Sequence, residues 1–206
     1  MNAAPLDSAQ PVFEEDQARA DVYALIARLF YAGPDAQLLA AVARAGAIAG
    51  ADATTALAAA WRALGAAAAA MDAEAAQEEY DHVFVGTGKA EITPYASHYL
   101  AESMQERVLV RLRENLTEMG LARNQSAVEY EDHFSGLCEV MRHLIAAGSG
   151  DVAVQEQKVF FMGYIAFWYA EFCAAAMASP NTNFYKHAAG FTKAFLDVES
   201  KSFELI

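Results

Sequence analysis

Hydrophobic side chains recur at intervals of three and four residues along most of this sequence, and few residues interrupt the pattern. This spacing places apolar side chains on one face of an α-helix. Ala, the residue with the highest helix propensity, is abundant, whereas Gly and Pro number only 12 and 5. No stretch alternates apolar and polar residues for long enough to predict strands. The sequence therefore predicts an all-α fold.

The expected organisation is a single compact multi-helix bundle. Hydrophobic residues make up 55% of the chain, which is enough apolar material to bury a core, and 206 residues suit one domain. We expect a flexible N-terminal segment at residues 1–15 and an all-helical domain at residues 16–206. No internal repeat or long linker divides that domain.

Local signals predict where individual helices begin and end. The first helix is expected to start near Asp16, and an Ala-rich helix is expected at residues 54–71. Side chains suited to cap helix N-termini are Asp72, Asp132, Asp151, and either Asn181 or Thr182. Residues suited to end helices are the Gly33-Pro34 pair, Gly120 and Gly148. The apolar stretch at residues 159–177 predicts a long central helix that starts at Asp151 and ends before Pro180.

Two segments are predicted to lie outside helices. Residues 121–127 are polar and indicate a connection. Residues 86–94 contain a Gly-Thr-Gly-Lys sequence and a Thr-Pro pair, which interrupt the helical periodicity and give the clearest loop in the chain. We expect this Gly/Pro loop to serve as a hinge inside the bundle.

The charge of the chain constrains its partners. The formal net charge is −13, so the surface repels phosphate backbones and anionic lipid, and it attracts basic partners. Cys138 and Cys173 lie inside apolar helical patterns and are expected in the core. No basic stretch followed by an apolar one marks a secretory signal, and Glu171 interrupts the longest apolar stretch. These features predict a cytoplasmic protein without a membrane span.

Two short patterns could indicate an enzyme. The Gly86-Thr87-Gly88-Lys89 sequence lacks the glycine spacing of a phosphate-binding loop and the Ser or Thr that follows its Lys. Glu79 and His82 have the Glu-x-x-His spacing of half a di-iron carboxylate site, but the nearest second pair, Glu139 and His143, is spaced differently. We therefore expect no catalytic residues, no metal and no cofactor, and we keep a di-iron bundle enzyme as an alternative.

Two clusters of polar and aromatic residues carry most of the functional signal. The first covers residues 79–86 and continues at residues 94–99, and the second covers residues 129–133. Local structure can explain both, because helix ends, turns and caps favour the same residue types.

The two clusters, in this order, resemble the signatures of the TorD/DmsD family of redox-enzyme maturation chaperones. The residues that match the first signature are Glu79, Tyr80, Phe84, Gly86, Pro94, Ser97 and Tyr99. The residues that match the second are Glu129, Asp132 and His133. The family's Gly-Pro-Gly turn is Gly86-Thr87-Gly88 here, and Tyr130 replaces the Pro that precedes the Asp-His pair. These departures weaken assignment to a particular subgroup.

The resemblance implies an all-helical, non-catalytic chaperone. Such proteins bind the N-terminal signal peptide of an apo molybdopterin-dependent oxidoreductase, often a twin-arginine signal, and hold the enzyme back from export until its cofactor is inserted. The client and the oligomeric state stay open, including a homodimer formed by exchange of helical lobes. A generic acidic helical adaptor for another basic partner is the second alternative.

The resemblance also implies a peptide-binding site. A receptor for two arginines followed by an apolar stretch needs carboxylates beside an apolar groove. Glu129 and Asp132 are expected to accept from the arginines, and His133 to orient Asp132 or to contact peptide carbonyls. The expected groove walls are Tyr80, Phe84, Tyr95 and Tyr99. Gly86, Pro94 and Ser97 complete the predicted site.

Overall fold

A computed structural model describes residues 14–48, 54–121, 129–148 and 150–206, and it folds them into nine α-helices. In chain order, the helices are α1 Glu14–Tyr31, α2 Ala36–Ile48, α3 Ala56–Ala70, α4 Ala73–Tyr80, α5 Glu102–Glu118, α6 Phe134–Ala147, α7 Asp151–Tyr164, α8 Tyr169–Ala178 and α9 Tyr185–Glu204. A π-helical turn, Asp81–Val85, extends α4, and a 3-10 turn, Ala96–Tyr99, precedes α5. These described residues contain no strand, so the predicted all-α bundle is confirmed.

An aromatic cluster joins helices that are distant in the sequence. α1 packs along α6, and α9 packs against α3 and α8. At the centre, the buried ring of Phe30 lies 5.4 Å from Phe134 of α6 and 5.3 Å from Phe172 of α8, measured between ring centroids. It also lies 5.7 Å from Phe84 and 5.8 Å from Tyr185. Each such pair adds about 0.5–1.5 kcal/mol beyond area burial, so this cluster fixes the C-terminal end of α1 against α6.

The prediction of one long central helix, from Asp151 to a point before Pro180, is wrong in one respect. This stretch forms two helices, α7 and α8, whose axes are bent by 56°. The helix is interrupted between them. There, the buried indole of Trp168 donates from Nε1 to the carbonyl of Tyr164 at 2.8 Å. In the part of the chain that the structure describes, no single helix is long and apolar enough to cross a membrane. Among the described helices, only the bent pair of α7 and α8, taken together, reaches that length and apolarity.

One predicted N-terminal helix cap is confirmed and three are corrected. Asp72 accepts from the backbone N–H of Ala75 at the start of α4, as predicted. Asp151 is the first residue of α7, and the N-cap there is Gly150. α6 is capped by His133 instead of Asp132, because Asp132 bonds elsewhere. At α9, neither Asn181 nor Thr182 is the N-cap. The carboxylate of Glu79, distant in sequence, binds the free backbone N–H groups there.

The loop predicted as a hinge is anchored at several points. Within it, the N–H of Ile92 donates to the carbonyl of Val83 at 2.9 Å. The carboxylate of Glu91 accepts from the hydroxyl of Ser179 at 2.6 Å and from the amide of Asn181 at 2.7 Å. A hinge motion in residues 86–94 would have to break these bonds to the α8–α9 connection.

Two sequence expectations fall mainly outside the described residues. α1 begins at Glu14, close to the expected start. Residues 1–13 of the expected N-terminal segment and residues 122–127 of the expected polar connection lie outside the described part of the chain.

Candidate functional site

The two sequence clusters meet in space through backbone pairing. Tyr95 and His133 form an isolated antiparallel bridge. On either side of it, the N–H of Phe134 donates to the carbonyl of Pro94 at 2.8 Å, and the N–H of Ala96 donates to the carbonyl of Asp132 at 3.1 Å. The segment before α5 is thereby fixed to the segment before α6.

Asp132 stabilises this junction from the inside. Its side chain accepts from the backbone N–H of Ser97 at 2.9 Å, and only 2% of the residue is exposed. A buried carboxylate that satisfies a backbone N–H is not presented to an incoming arginine. In this structure, therefore, Asp132 holds the two clusters together, and Ser97 takes part through its backbone.

Glu129 and Tyr95 form the more accessible polar pair. The hydroxyl of Tyr95 donates to Oε2 of Glu129. Burial, together with the hydrogen bond and the charge of Glu129, raises the pKa of Tyr95 above its ordinary value, so the hydroxyl keeps its proton. The ring of Tyr95 lies edge-on to His133, with centroids 5.0 Å apart. Tyr95 thus orients the Glu129 carboxylate.

His133 links this pair to the start of α6. Its Nδ1 accepts from the backbone N–H of Ser135 at 3.2 Å, and the residue is 2% exposed. Burial lowers the pKa of His133, while the charges of Glu129 and Asp132 act in the opposite direction. A neutral imidazole that accepts at Nδ1 carries its proton on Nε2, where it can act as a donor.

Next to Glu129 and His133 lies a groove of about 700 Å³. Its floor is the outward face of α6, which presents Gly136 and Val140. One wall is the end of α1 and the turn into α2, and the other is the end of α5 with residues 129–131. The apolar side chains that line it are Ala27, Tyr31, Ala32, Pro34, Leu38, Leu116, Leu121, Tyr130 and Val140.

Charged groups surround the apolar part of the groove. Arg28 pairs with Asp35 at 3.5 Å, and Arg142 pairs with Glu139 at 2.7 Å. Glu131, whose side chain is 14% exposed, pairs at 3.3 Å with Arg113, whose side chain is half exposed. Glu129 and Glu131 both line the groove and belong to the segment that precedes α6.

The other predicted site residues do not line the groove. Tyr80 and Phe84 are buried and contact each other in the aromatic core. Tyr99 stacks on Trp168 with centroids 4.9 Å apart, and its hydroxyl donates to the carbonyl of Thr93. Pro94 is buried too. Tyr80, Phe84 and Tyr99, which were expected as groove walls, are therefore not part of the lining of this groove.

Two residues of the first cluster shape the chain near the site. Gly86 has φ +66°, a left-handed conformation that favours Gly, and a Cβ atom there would collide with the carbonyl oxygen of Lys89. The hydroxyl of Tyr80 donates to the carbonyl of Tyr31 at 2.8 Å. Tyr31 lines the groove, so this hydrogen bond from the buried Tyr80 holds the backbone of one groove wall in place.

Sequence reasoning missed most of the apolar lining. Tyr31, which is 51% exposed, is the last residue of α1, and Val140 lies on α6. Neither was predicted to belong to a site. Such residues could have been found from an apolar stripe that is too wide to be covered by one neighbouring helix. The stripe alone does not identify the partner that would cover the rest of it.

The alternative of a di-iron site is not assembled in the described residues. Glu79 places its two carboxylate oxygens on the N–H groups of Asn183, Phe184 and Tyr185, at 2.7–3.0 Å. His82 is exposed on the π-helical turn. Across the described ranges, no group of three or more His, Cys, Asp or Glu side chains could hold a metal ion.

Comparison with known proteins places the chain in a family. No curated protein sequence matches it significantly. The model of the nitrate reductase delta subunit family matches residues 51–174, more than half of the chain, and this range includes both sequence clusters. Proteins of this family are chaperones that assist molybdoenzyme assembly, and the family is not one of catalytic enzymes. The chain therefore belongs to the nitrate reductase delta subunit family of TorD-type redox-enzyme maturation chaperones.

Proposed function

We propose that this protein is a cytoplasmic assembly chaperone that binds the N-terminal signal peptide of a molybdopterin-dependent oxidoreductase. Binding keeps the catalytic subunit available for cofactor insertion before export. The observation that carries the proposal is an apolar groove bordered by Glu129 and Glu131 in a member of a molybdoenzyme chaperone family. The net charge of −13 adds a field that attracts a basic peptide.

The apolar lining supplies the main affinity in this proposal. Tyr31 and Tyr130 are 51% and 62% exposed, so the groove leaves large aromatic surface in water. Each apolar side chain of a peptide that becomes fully buried gains about 1.5–3 kcal/mol. Two or three such side chains offset part of the entropy lost on association.

The carboxylates supply selectivity for arginine. A guanidinium can donate two parallel hydrogen bonds to one carboxylate, whereas an ammonium group cannot match that geometry. Glu129 already accepts from one Tyr95 hydroxyl, and an ionised carboxylate has acceptor capacity for about four donors. We propose Glu129 and Glu131 as the arginine acceptors. His133 is as buried as Asp132 but, unlike it, belongs to the groove lining, and its Nε2–H is the proposed donor to a peptide carbonyl.

The remaining predicted site residues receive indirect roles in the proposal. Asp132, Pro94 and Ser97 fix the junction of the two clusters, Tyr95 orients Glu129, and Tyr80 positions Tyr31. Phe84, Gly86 and Tyr99 maintain the packing and the turn behind them. Substituting these residues would alter peptide binding by way of the fold.

The testing experiment is calorimetric titration with a panel of twin-arginine signal peptides, each paired with its Lys-Lys variant. We expect one peptide class to bind and its Lys-Lys variant to bind more weakly. Equal affinity for both forms would contradict arginine recognition. Absence of binding across the panel would favour a client segment without an Arg pair, or the generic adaptor, over the proposed function.

Variants of the two glutamates test the site itself. Glu129→Gln and Glu131→Gln each remove a charge with little change of shape, and we expect each to weaken peptide binding by about 1 kcal/mol, or roughly fivefold. Glu156→Gln, at an exposed position of α7, is the matched control. It changes the net charge by the same amount, and Glu156 is outside the groove lining. Equal effects of all three variants would indicate a general field effect and would contradict the assigned acceptors.

A further inference from the structure

The groove differs in charge from one end to the other along α6. At the N-terminus of α6 the groove lining includes Glu129 and Glu131, together with Gly136 in the first turn of that helix. Further along the same helix are Arg142 and His143. At 1.5 Å per residue, His133 and His143 are separated by about 15 Å along the axis.

The partners of the charged groups show where the difference lies. Arg142 is balanced by Glu139 on its own helix, at 2.7 Å, and both residues line the groove. At the other end, Glu131 pairs with Arg113, which is outside the groove lining, and Glu129 accepts from a neutral hydroxyl that leaves its charge unbalanced. Cationic groups in the groove are therefore favoured beside Glu129 over the neutral pair of Arg142 and Glu139.

We infer that the bound client segment runs parallel to α6, with its cationic residues beside Glu129 and Glu131 and its following apolar residues over Gly136 and Val140 towards His143. This inference rests on the proposed function and adds a direction to it. The reverse direction would bring the cations to Arg142 and leave the two glutamates facing apolar side chains. Charge complementarity thus selects one of two orientations that an apolar groove alone accepts equally.

Paramagnetic relaxation enhancement tests the orientation. The probe is a twin-arginine signal peptide that binds in the titrations above, carrying a nitroxide at its N-terminus in one sample and at its C-terminus in another. The full chain is labelled with ¹⁵N. We expect the N-terminal label to broaden the amides of residues 130–131 and the C-terminal label to broaden those of residues 142–143.

Each result bears on a separate claim. Broadening in the reverse order, or equal broadening at both ends from either label, would overturn the orientation while leaving peptide binding established. A peptide that fails to bind would overturn the proposed function as well. A charge-exchange variant, Glu131→Arg combined with Arg142→Glu, is expected to weaken binding and to reduce the difference between the two labels. If it left both unchanged, the charges would not set the direction.

Discussion

Glu79 shows how one side chain can connect two distant parts of this fold. Its carboxylate accepts from three consecutive backbone N–H groups, those of residues 183–185, at 2.7–3.0 Å. Tyr185 is the first residue of α9 and the other two residues directly precede it, so these N–H groups have no partner within that helix. A negative charge there also interacts favourably with the helix dipole. Glu79 therefore fixes the start of α9 to the end of α4.

We expect Glu79→Ala to lower the free energy of unfolding by about 2 kcal/mol, because it leaves helix-terminal N–H groups without their charged acceptor. Glu79→Gln should cost less, since its amide oxygen can still accept. Glu78→Ala is the control, because Glu78 neighbours it on α4 and is exposed. Urea unfolding measures all three, and a loss no larger for Glu79→Ala than for Glu78→Ala would contradict the capping role.

At the residue scale, the sequence identified two clusters that meet in the structure but not the burial of their members. The pairing of Tyr95 with His133 and the family assignment both agree with a junction of residues 94–99 and 129–133. Asp132 was expected to accept from the arginines of a peptide, and it is buried against the N–H of Ser97. Burial depends on which segment packs above a residue, and no local pattern specifies that.

The pair α2 and α3 depends on close contact between two glycines. A Cβ on Gly46 would lie 2.7 Å from the Cα of Gly65, and a Cβ on Gly65 would lie 2.8 Å from the Cα of Gly46. Both distances are too short for real atoms, and both neighbours are backbone. Ala has the higher helix propensity, so packing and propensity act in opposite directions at these positions.

We expect Gly46→Ala to destabilise the protein by about 1–3 kcal/mol, because separating two helix backbones costs more than the propensity gain. Gly190→Ala in α9 is the matched control, since a Cβ there meets nothing within 4 Å. That control should stabilise the protein by up to about 1 kcal/mol. Thermal unfolding of both variants distinguishes the effects. An increase in stability from Gly46→Ala would show that the two helices separate easily.

Helix positions were predictable where the deciding signal is local. Asp72 and the left-handed Gly120, with φ +70°, each act within one helical turn of the position they specify. The bend between α7 and α8 had only a weak local signal, Gly163 in the last turn of α7. No Pro or Gly marks residues 165–168, and the break coincides with the burial of Trp168 in the core. Tertiary packing overrode an apolar run that locally favoured one helix.

The whole molecule acts on a basic partner through its net charge of −13. The field of such a charge extends about 30 Å at an ionic strength of about 0.01 M, but only about 8 Å at about 0.15 M. It accelerates the encounter with any cationic peptide and does not distinguish arginine from lysine. Contacts made inside the groove act after encounter and mainly set the dissociation rate.

We therefore expect the association rate constant of a twin-arginine peptide to fall on the order of tenfold between those two ionic strengths. The Lys-Lys variant carries the same charge, so it should show the same salt dependence of association but dissociate faster at every salt concentration. Stopped-flow fluorescence with a labelled peptide measures both rates. If the two peptides differed in association and not in dissociation, recognition of arginine would precede docking, and Glu129 and Glu131 would not be the selective contacts.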